Sequence, residues 1–185
     1  MPHFHYHDEE ERRSWQDPDA ILADIGMGDG LVVIDVGCGQ GFFALPAARR
    51  VGNSGKVFGI DTNPEAVAMM MERAGRERLD TIEGIVGAGE ETVVCEGCAD
   101  VVFFGIDLHD FSDPGKVLAN ARRMMKPGGR LVDLDWKKEE TPFGPPQHIR
   151  FSAEEAAALI EDAGFSVIEV RNIPPWFYRI TAVAR

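Results

Sequence analysis

Cysteine is scarce in this chain of 185 residues: three thiols, an odd number, cannot staple a fold, so stability must come from a buried core. Such sparse cysteine agrees with a reducing compartment. Positive charge is short as well. Nineteen Lys and Arg face 31 Asp and Glu, a net charge of −12, which argues against nucleic acid or an anionic membrane as partner. No apolar run approaches the roughly 20 residues of a bilayer span. The N-terminal MPHFHYHDEEERR has neither an apolar signal core nor a transit composition, so a cytoplasmic location is expected. Internal repeats are absent, as is the G-x-x-x-x-G-K-[ST] loop of phosphate-binding NTPases. No linker is long enough to separate two folding units, which leaves one domain over residues 17–185 behind a polar arm, 1–16.

Glycine, by contrast, is abundant at 20 residues, and its placement organises the chain. Asp17-Pro18 opens a short helix as N-cap and first helical residue, with Ile21, Leu22 and Ile25 on one face. Leu31 to Val36 is a continuous β-branched run between Gly30 and Gly37, the pattern of a strand buried on both faces of a parallel sheet. Helix and strand then alternate: a helix over Phe42–Val51, a strand over Lys56–Ile60, a helix over Pro64–Arg78, and strands over Thr81–Val86 and Asp100–Gly105. A helix opened by Asp113-Pro114 runs to the stop Lys126-Pro127-Gly128-Gly129, and a fifth strand covers Arg130–Leu134. Ser152 to Glu155 is a capping box for a helix ending at Gly164, and strands follow over Phe165–Arg171 and Trp176–Ala184. The last connection is too short for a crossover helix, so the final pair must be an antiparallel hairpin on an otherwise parallel, doubly wound α/β sheet.

The chemistry concentrates where the first buried strand turns into a helix, at Asp35-Val36-Gly37-Cys38-Gly39-Gln40-Gly41. Alternate glycines allow a tight turn and let a ligand lie against bare backbone. Asp61 closes the second strand, where a carboxylate can accept both hydroxyls of a ribose. Together they define an adenosine-type site. A dinucleotide fingerprint, G-x-G-x-x-G, needs its third glycine one place later than Gly41, and Phe42 and Phe43 fill that helix start, which counts against a nicotinamide-dependent oxidoreductase.

At VIDVGCGQG, GIDTNPEAV, CADVVFF and MKPGGRLV the chain resembles the class I S-adenosylmethionine-dependent methyltransferases, in particular the small type 11, UbiE/menaquinone-biosynthesis-like members. The resemblance covers roughly residues 15–185. It implies a Rossmann-like seven-stranded sheet ordered 3-2-1-4-5-7-6 with the last strand antiparallel. It also implies S-adenosylmethionine as methyl donor, S-adenosylhomocysteine as product, and transfer to a small-molecule acceptor by in-line displacement. Carried over by position, it puts the methionine moiety against Gly37, Cys38, Gly39 and Gly41, its amino group on Asp35, the ribose on Asp61 and the adenine edge on Thr62 and Asn63. The family commonly reads Gly-Asp-Ala after the third strand; here Gly87-Ala88-Gly89-Glu90 stands instead, so either Glu90 or backbone near Ala88 must read the adenine. Phe104 and Asp107 are expected beside the donor. His109, Asp110 and His148 are the candidate bases. A catalytic triad is not required, because a sulfonium is already activated. A non-catalytic donor-binding or regulatory module is the main rival.

Weaker signals carry bland readings. Cys95-Glu96-Gly97-Cys98 lacks a second C-x-x-C and is read as packed thiols, not half a zinc site, so no metal is assigned. If all three cysteines lay near the donor, an arsenic acceptor would enter. His3, His5 and His7 alternate on an arm expected to be mobile or, if it orders, to close over the cofactor as in similar methyltransferases. Trp136 to Arg150 is a long loop at the ligand edge of the sheet; its Lys137, Lys138 and Arg150 suit either capture of an anion or plain solubility. Pro174 to Tyr178 either covers the hairpin edge or forms a contact between two copies of the chain.

Overall fold

A computed structural model describes residues 9–185. The histidines at positions 3, 5 and 7 lie outside the described residues. Seven strands form one sheet in the order β3-β2-β1-β4-β5-β7-β6. They are β1 (Val32–Val36), β2 (Lys56–Asp61), β3 (Ile82–Val86), β4 (Ala99–Gly105), β5 (Met125–Trp136), β6 (Phe165–Ile173) and β7 (Phe177–Ala184). β1 to β5 pair in parallel, and β7 runs antiparallel to both β5 and β6. The three-residue connection between β6 and β7 leaves no other option.

Helices cover both faces, as the doubly apolar strands require. On one face α2 (Pro18–Asp24), α3 (Ala44–Val51) and α4 (Pro64–Glu77) bury Leu22, Leu45 and Met70 against Val33, Val57, Phe103 and Leu134. On the other, α5 (Pro114–Met124) and α6 (Ala153–Asp162) bury Leu118, Ala121 and Ile160 against Ile34, Val102, Leu131 and Ile180. Strand residues alternate between these cores because successive side chains point to opposite faces. Among the described residues no helix is long and apolar enough to cross a membrane.

The caps fall where the residue types demand. Asp17 accepts from the amides of Asp19 and Ala20, Asn63 from Glu65 and Ala66, and Ser152 with Glu155 completes the capping box. Of the boundaries that differ from the pattern reading, two have a plain physical cause. α3 starts two residues later than Phe42, because the glycine turn extends through Phe43. Lys126 to Gly129 does not stop the chain ahead of β5 but is an irregularity inside it, with pairing that jumps from Ala99–Met125 to Val101–Arg130. An extra length of chain on one strand absorbs the Pro and Gly residues without ending the ladder. A further helix, α1 (Glu9–Trp15), has no apolar periodicity of its own and is held by contacts with the site.

Candidate active site

One cavity of about 770 Å³ opens at the C-terminal edge of β1, β2 and β4, where open α/β sheets gather ligands. Its floor is the turn after β1. The amides of Gly37 and Cys38 both donate to the Ile60 carbonyl, at 2.8 and 3.0 Å, and the Gly39 amide donates to Asp61 Oδ2 at 2.7 Å. The turn is therefore stitched to β2 and offers a ligand bare surface more than free N–H donors. Gly37, at φ +82°, could carry no side chain: a Cβ there would stand 2.7 Å from Asp107 Cγ. At Gly41, φ +88°, the Cβ would strike Met70 and Leu45 instead, and Gly41 does not line the cavity.

Asp61, nine-tenths buried, also accepts from the Asn63 amide through Oδ1 at 2.8 Å. Asp35 is almost wholly buried, and its Oδ2 has no partner in the protein. Burial pushes its carboxyl up to about 7, against the pull of the Arg12 guanidinium. Asp107 rises well above the ordinary carboxylate range for the same reason. The thiol of Cys38 is likewise driven up by burial and by the surrounding carboxylates, so it stays a thiol.

The residue that sequence reasoning missed here is Arg12. It comes from α1, lies over the Phe42 ring at 3.8 Å, and donates through Nε to Gln16 at 2.8 Å. Its Nη2 is buried without a partner, and burial lowers the guanidinium to about 10 while Asp107 and Asp35 hold it charged. α1 is itself pinned at both ends. Glu9 pairs with Arg73 of α4 at 2.7 Å, while Trp15 sits 5.1 to 5.9 Å from Phe143, Trp136 and Phe177. The arm closes over the turn, the alternative open to it if it orders, but its charged, non-periodic sequence does not single out Arg12 as the residue that reaches the cavity.

Part of the lining is apolar: Phe43, Ile106, Phe111, Trp136, Pro145, Pro146 and Ile149. His109 and Asp110 also line the cavity, and His109 Nδ1 lies 2.7 Å from Asp135 Oδ1 at the end of β5. Asp135, one residue past the expected fifth strand, carries no signal in sequence because the histidine it meets is 26 positions away.

Several expected residues fall elsewhere. His148 is exposed and does not line the cavity; its neighbour Ile149 does, because the short turn Gln147–Ile149 points the histidine outward. Asn63 is spent capping α4, and Phe104 packs into the opposite core against Phe111. Thr62 lines the rim, exposed, and Ala88 lines the cavity. Glu90 also lines it, but its Oε1 accepts from the amides of Ser112 and Asp113 at 3.1 and 3.4 Å, tying together the loops after β3 and β4. Cys95 and Cys98 are joined in a disulfide, not packed as free thiols: the C-x-x-C turn brings their Cα atoms to 6.0 Å. Both lie on the α5 side, apart from Cys38, so the three sulfurs do not converge.

The basic residues of the long loop are not free to catch an anion. Arg150 is buried and donates to the carbonyls of Lys137, Glu139 and Pro145 and to the Thr141 hydroxyl. Lys137 donates to the Pro175 carbonyl, and Lys138 pairs with Glu155. The aromatic run at the start of β7 also turns inward: Trp176 meets Phe143 at 4.6 Å, Phe177 meets Trp136 at 4.5 Å, and Tyr178 is buried.

A doubly wound sheet whose first turn, second-strand acid and folded-back arm enclose a single cavity defines a nucleoside-cofactor-binding α/β domain. More particularly, the chain belongs to the methyltransferase domain family, whose model matches residues 27–177, and falls in its class I, type 11 group, which uses S-adenosylmethionine. It superposes on a SAM-dependent methyltransferase from Aquifex aeolicus with a TM-score of 0.87, 30% identity, and coverage of 96% of this chain and 98% of that one. It is 33% identical over 125 residues to the ubiquinone/menaquinone biosynthesis C-methyltransferase UbiE of Hydrogenovibrio crunogenus, covering 64% of this chain and 47% of that protein. It is 25% identical over 157 residues to an arsenite methyltransferase of Halobacterium salinarum, covering 78% and 39% respectively. The chain thus spans about half or less of the length of the curated relatives it matches.

Proposed function

We propose that the chain binds S-adenosylmethionine in this cavity and transfers its methyl group to a small-molecule acceptor. The observation that carries the reading is a pair of buried, unpartnered polar atoms of opposite character facing one cavity, Asp35 Oδ2 and Arg12 Nη2. Buried polar atoms without partners are rare, and a ligand is the ordinary reason for two together. An amino-acid moiety supplies both complements at once, an ammonium for Asp35 and a carboxylate for Arg12. Asp61 retains lone pairs beyond those used by Gly39 and Asn63, enough to accept ribose hydroxyls. The turn of Gly37 to Gly39 leaves space for the chain between them.

The donor brings a methyl group already activated on a sulfonium; the protein's task is to position the acceptor in line and exclude water. α1 and the loop held by Arg150 close the site from the two sides, through the cluster of Trp15, Trp136, Phe143 and Phe177. Asp35 and Asp61 line the cavity, and Asp35 gains a cation to ionise against when the donor's ammonium arrives. The apolar part of the lining suits an acceptor with an apolar body.

Calorimetric titration with S-adenosylhomocysteine, with NADH as control, tests the cofactor half of this reading. Micromolar binding of the thioether alone is expected; binding of NADH alone would turn the reading toward an oxidoreductase. Labelled methyl donor incubated with cell extract tests the transfer half, since a non-catalytic binding module would label no discrete product.

A further inference from the structure

We propose that the chain forms a two-fold dimer by pairing the open edge of β6 with the same edge of a second copy, antiparallel and centred on Val170. The inference stands apart from the methyl-transfer reading and does not rest on it.

The two edges of the sheet differ. β3 closes one with five residues, whereas β6 closes the other with nine and is paired on one side alone, to β7. A long edge of this kind presents a row of N–H and C=O groups to any strand that can lie beside it. Edges that must stay apart are blunted with Lys or Pro; β6 carries neither, and its one irregularity falls between Val167 and Glu169. From Ile168 to Asn172 five consecutive residues are exposed. Ile168 and Val170, at 59% and 52%, are two of the four large apolar side chains exposed among the described residues. Apolar side chains and an unpaired backbone thus coincide on one strand.

Charge selects a second copy as the occupant and sets the register. At a net −12, two copies repel over most of their surfaces. β6 is locally neutral, with one acid and one base, Glu169 and Arg171. The two share a face, two positions apart, opposite Thr181 and Arg179 of β7. In antiparallel strands related by a two-fold axis, directly opposed side chains share a face, so the axis passes through a residue. An axis at Glu169 or at Arg171 sets a charge against its own copy. At Asn172 it leaves Arg171 facing Ile173, and at Ile168 it falls on the irregularity. Centred on Val170, Glu169 of each copy meets Arg171 of the other, and the two Val170 side chains meet on the opposite face.

The charges are already held in place. Arg179 pairs with both Asp24 and Glu169, and Asp24 pairs with Arg171, a row of alternating sign along one face. Glu169 and Arg171 stay nearly half exposed at 47% and 48%, so each can take a further partner. The two-fold pairing joins two such rows into one. Side chains fixed beforehand lose little freedom on association.

Sedimentation velocity on the purified protein, from about 1 to about 500 µM, is the first test. A strand-to-strand contact lies at the low end of interface size, so the dimer fraction is expected to climb with concentration. Val170→Lys sets two ammonium groups against each other at the axis and should leave a monomer throughout. Its thermal unfolding should stay cooperative, because the side chain is exposed. Cysteine scanning then reads the register. Val170→Cys meets its own copy and should form a disulfide between two chains on mild oxidation, whereas Asn172→Cys, opposed to Ile168, should not. The native thiols leave this readout clear, since Cys38 is buried and Cys95 is joined to Cys98. A wild-type monomer at every concentration, or a dimer that survives Val170→Lys, overturns the proposal. Equal cross-linking of the two cysteine variants overturns the register.

Discussion

The Gly39 amide donates to Asp61 Oδ2 at 2.7 Å, so the acid that ends β2 fixes the glycine turn that ends β1. One side chain thereby does two things. It satisfies a backbone group that would otherwise be buried without a partner, and it holds a carboxylate at the rim of the cavity. Asp61→Ala is expected to weaken S-adenosylhomocysteine binding by roughly 1.5 to 3 kcal/mol, the usual loss for a charged acceptor. It should also lower the melting temperature, because the turn loses its tie. Unchanged affinity by calorimetry would remove the ribose assignment.

Asp35 makes stability depend on pH. Its folded carboxyl titrates at about 7, against about 3.9 in an unfolded chain, so between those values the folded state alone holds the proton. Stability is therefore expected to fall as pH rises from about 4 to 7 and to level off above. Asp107, raised by the same burial, contributes with the same sign. Urea denaturation at about pH 5 and about pH 8 should show a smaller difference in Asp35→Asn than in the wild type. Donor affinity should run the other way, rising through neutrality as Asp35 ionises toward the ammonium group.

Arg12→Met tests the arm. The variant keeps the apolar stem that lies on Phe42 but removes the unpartnered guanidinium. Affinity for S-adenosylhomocysteine is expected to drop by about 1.5 to 3 kcal/mol, as for other charge-assisted hydrogen bonds. The decarboxylated analogue, with no carboxylate to lose, should bind wild type and variant equally. A loss common to both ligands would show that Arg12 acts through packing alone.

Arg150 holds the loop over residues 137–149 through hydrogen bonds to carbonyls at both of its ends. Arg150→Met should leave those carbonyls short of donors and destabilise the fold by about 1 to 3 kcal/mol. Limited trypsinolysis is the direct check: cleavage after Lys137 or Lys138, slow in the wild type, should accelerate. Equal cleavage rates would mean that the loop is held by Trp136, Phe143 and Trp176 instead.

The sheet was legible in the sequence because its strands are local and extreme. Leu31 to Val36 is apolar on both faces, which only a covered parallel strand permits, and the glycine turn and Asp61 follow it at fixed offsets. The hairpin at the end was equally forced, by a connection too short for any helix. Helix starts at Asp17, Asn63 and Ser152 were readable because a cap is a bond between residues two or three apart. All of these are relations within a few positions of one chain segment.

Tertiary structure decided the rest, and it did so wherever the deciding partner is distant in sequence. Arg12 reaches the turn only because Glu9 meets Arg73 and Trp15 meets Phe177, contacts that no periodicity in the arm announces. Lys137, Lys138 and Arg150 looked alike as charges, yet a carboxylate and backbone carbonyls of this same chain consume all three. Composition alone could not tell an engaged cation from a free one. His109 and His148 were both candidate bases until Asp135, on a neighbouring strand, oriented the first while a short turn exposed the second. Sequence determined which residue types stand at the end of each strand; the fold alone determined which of them face one another.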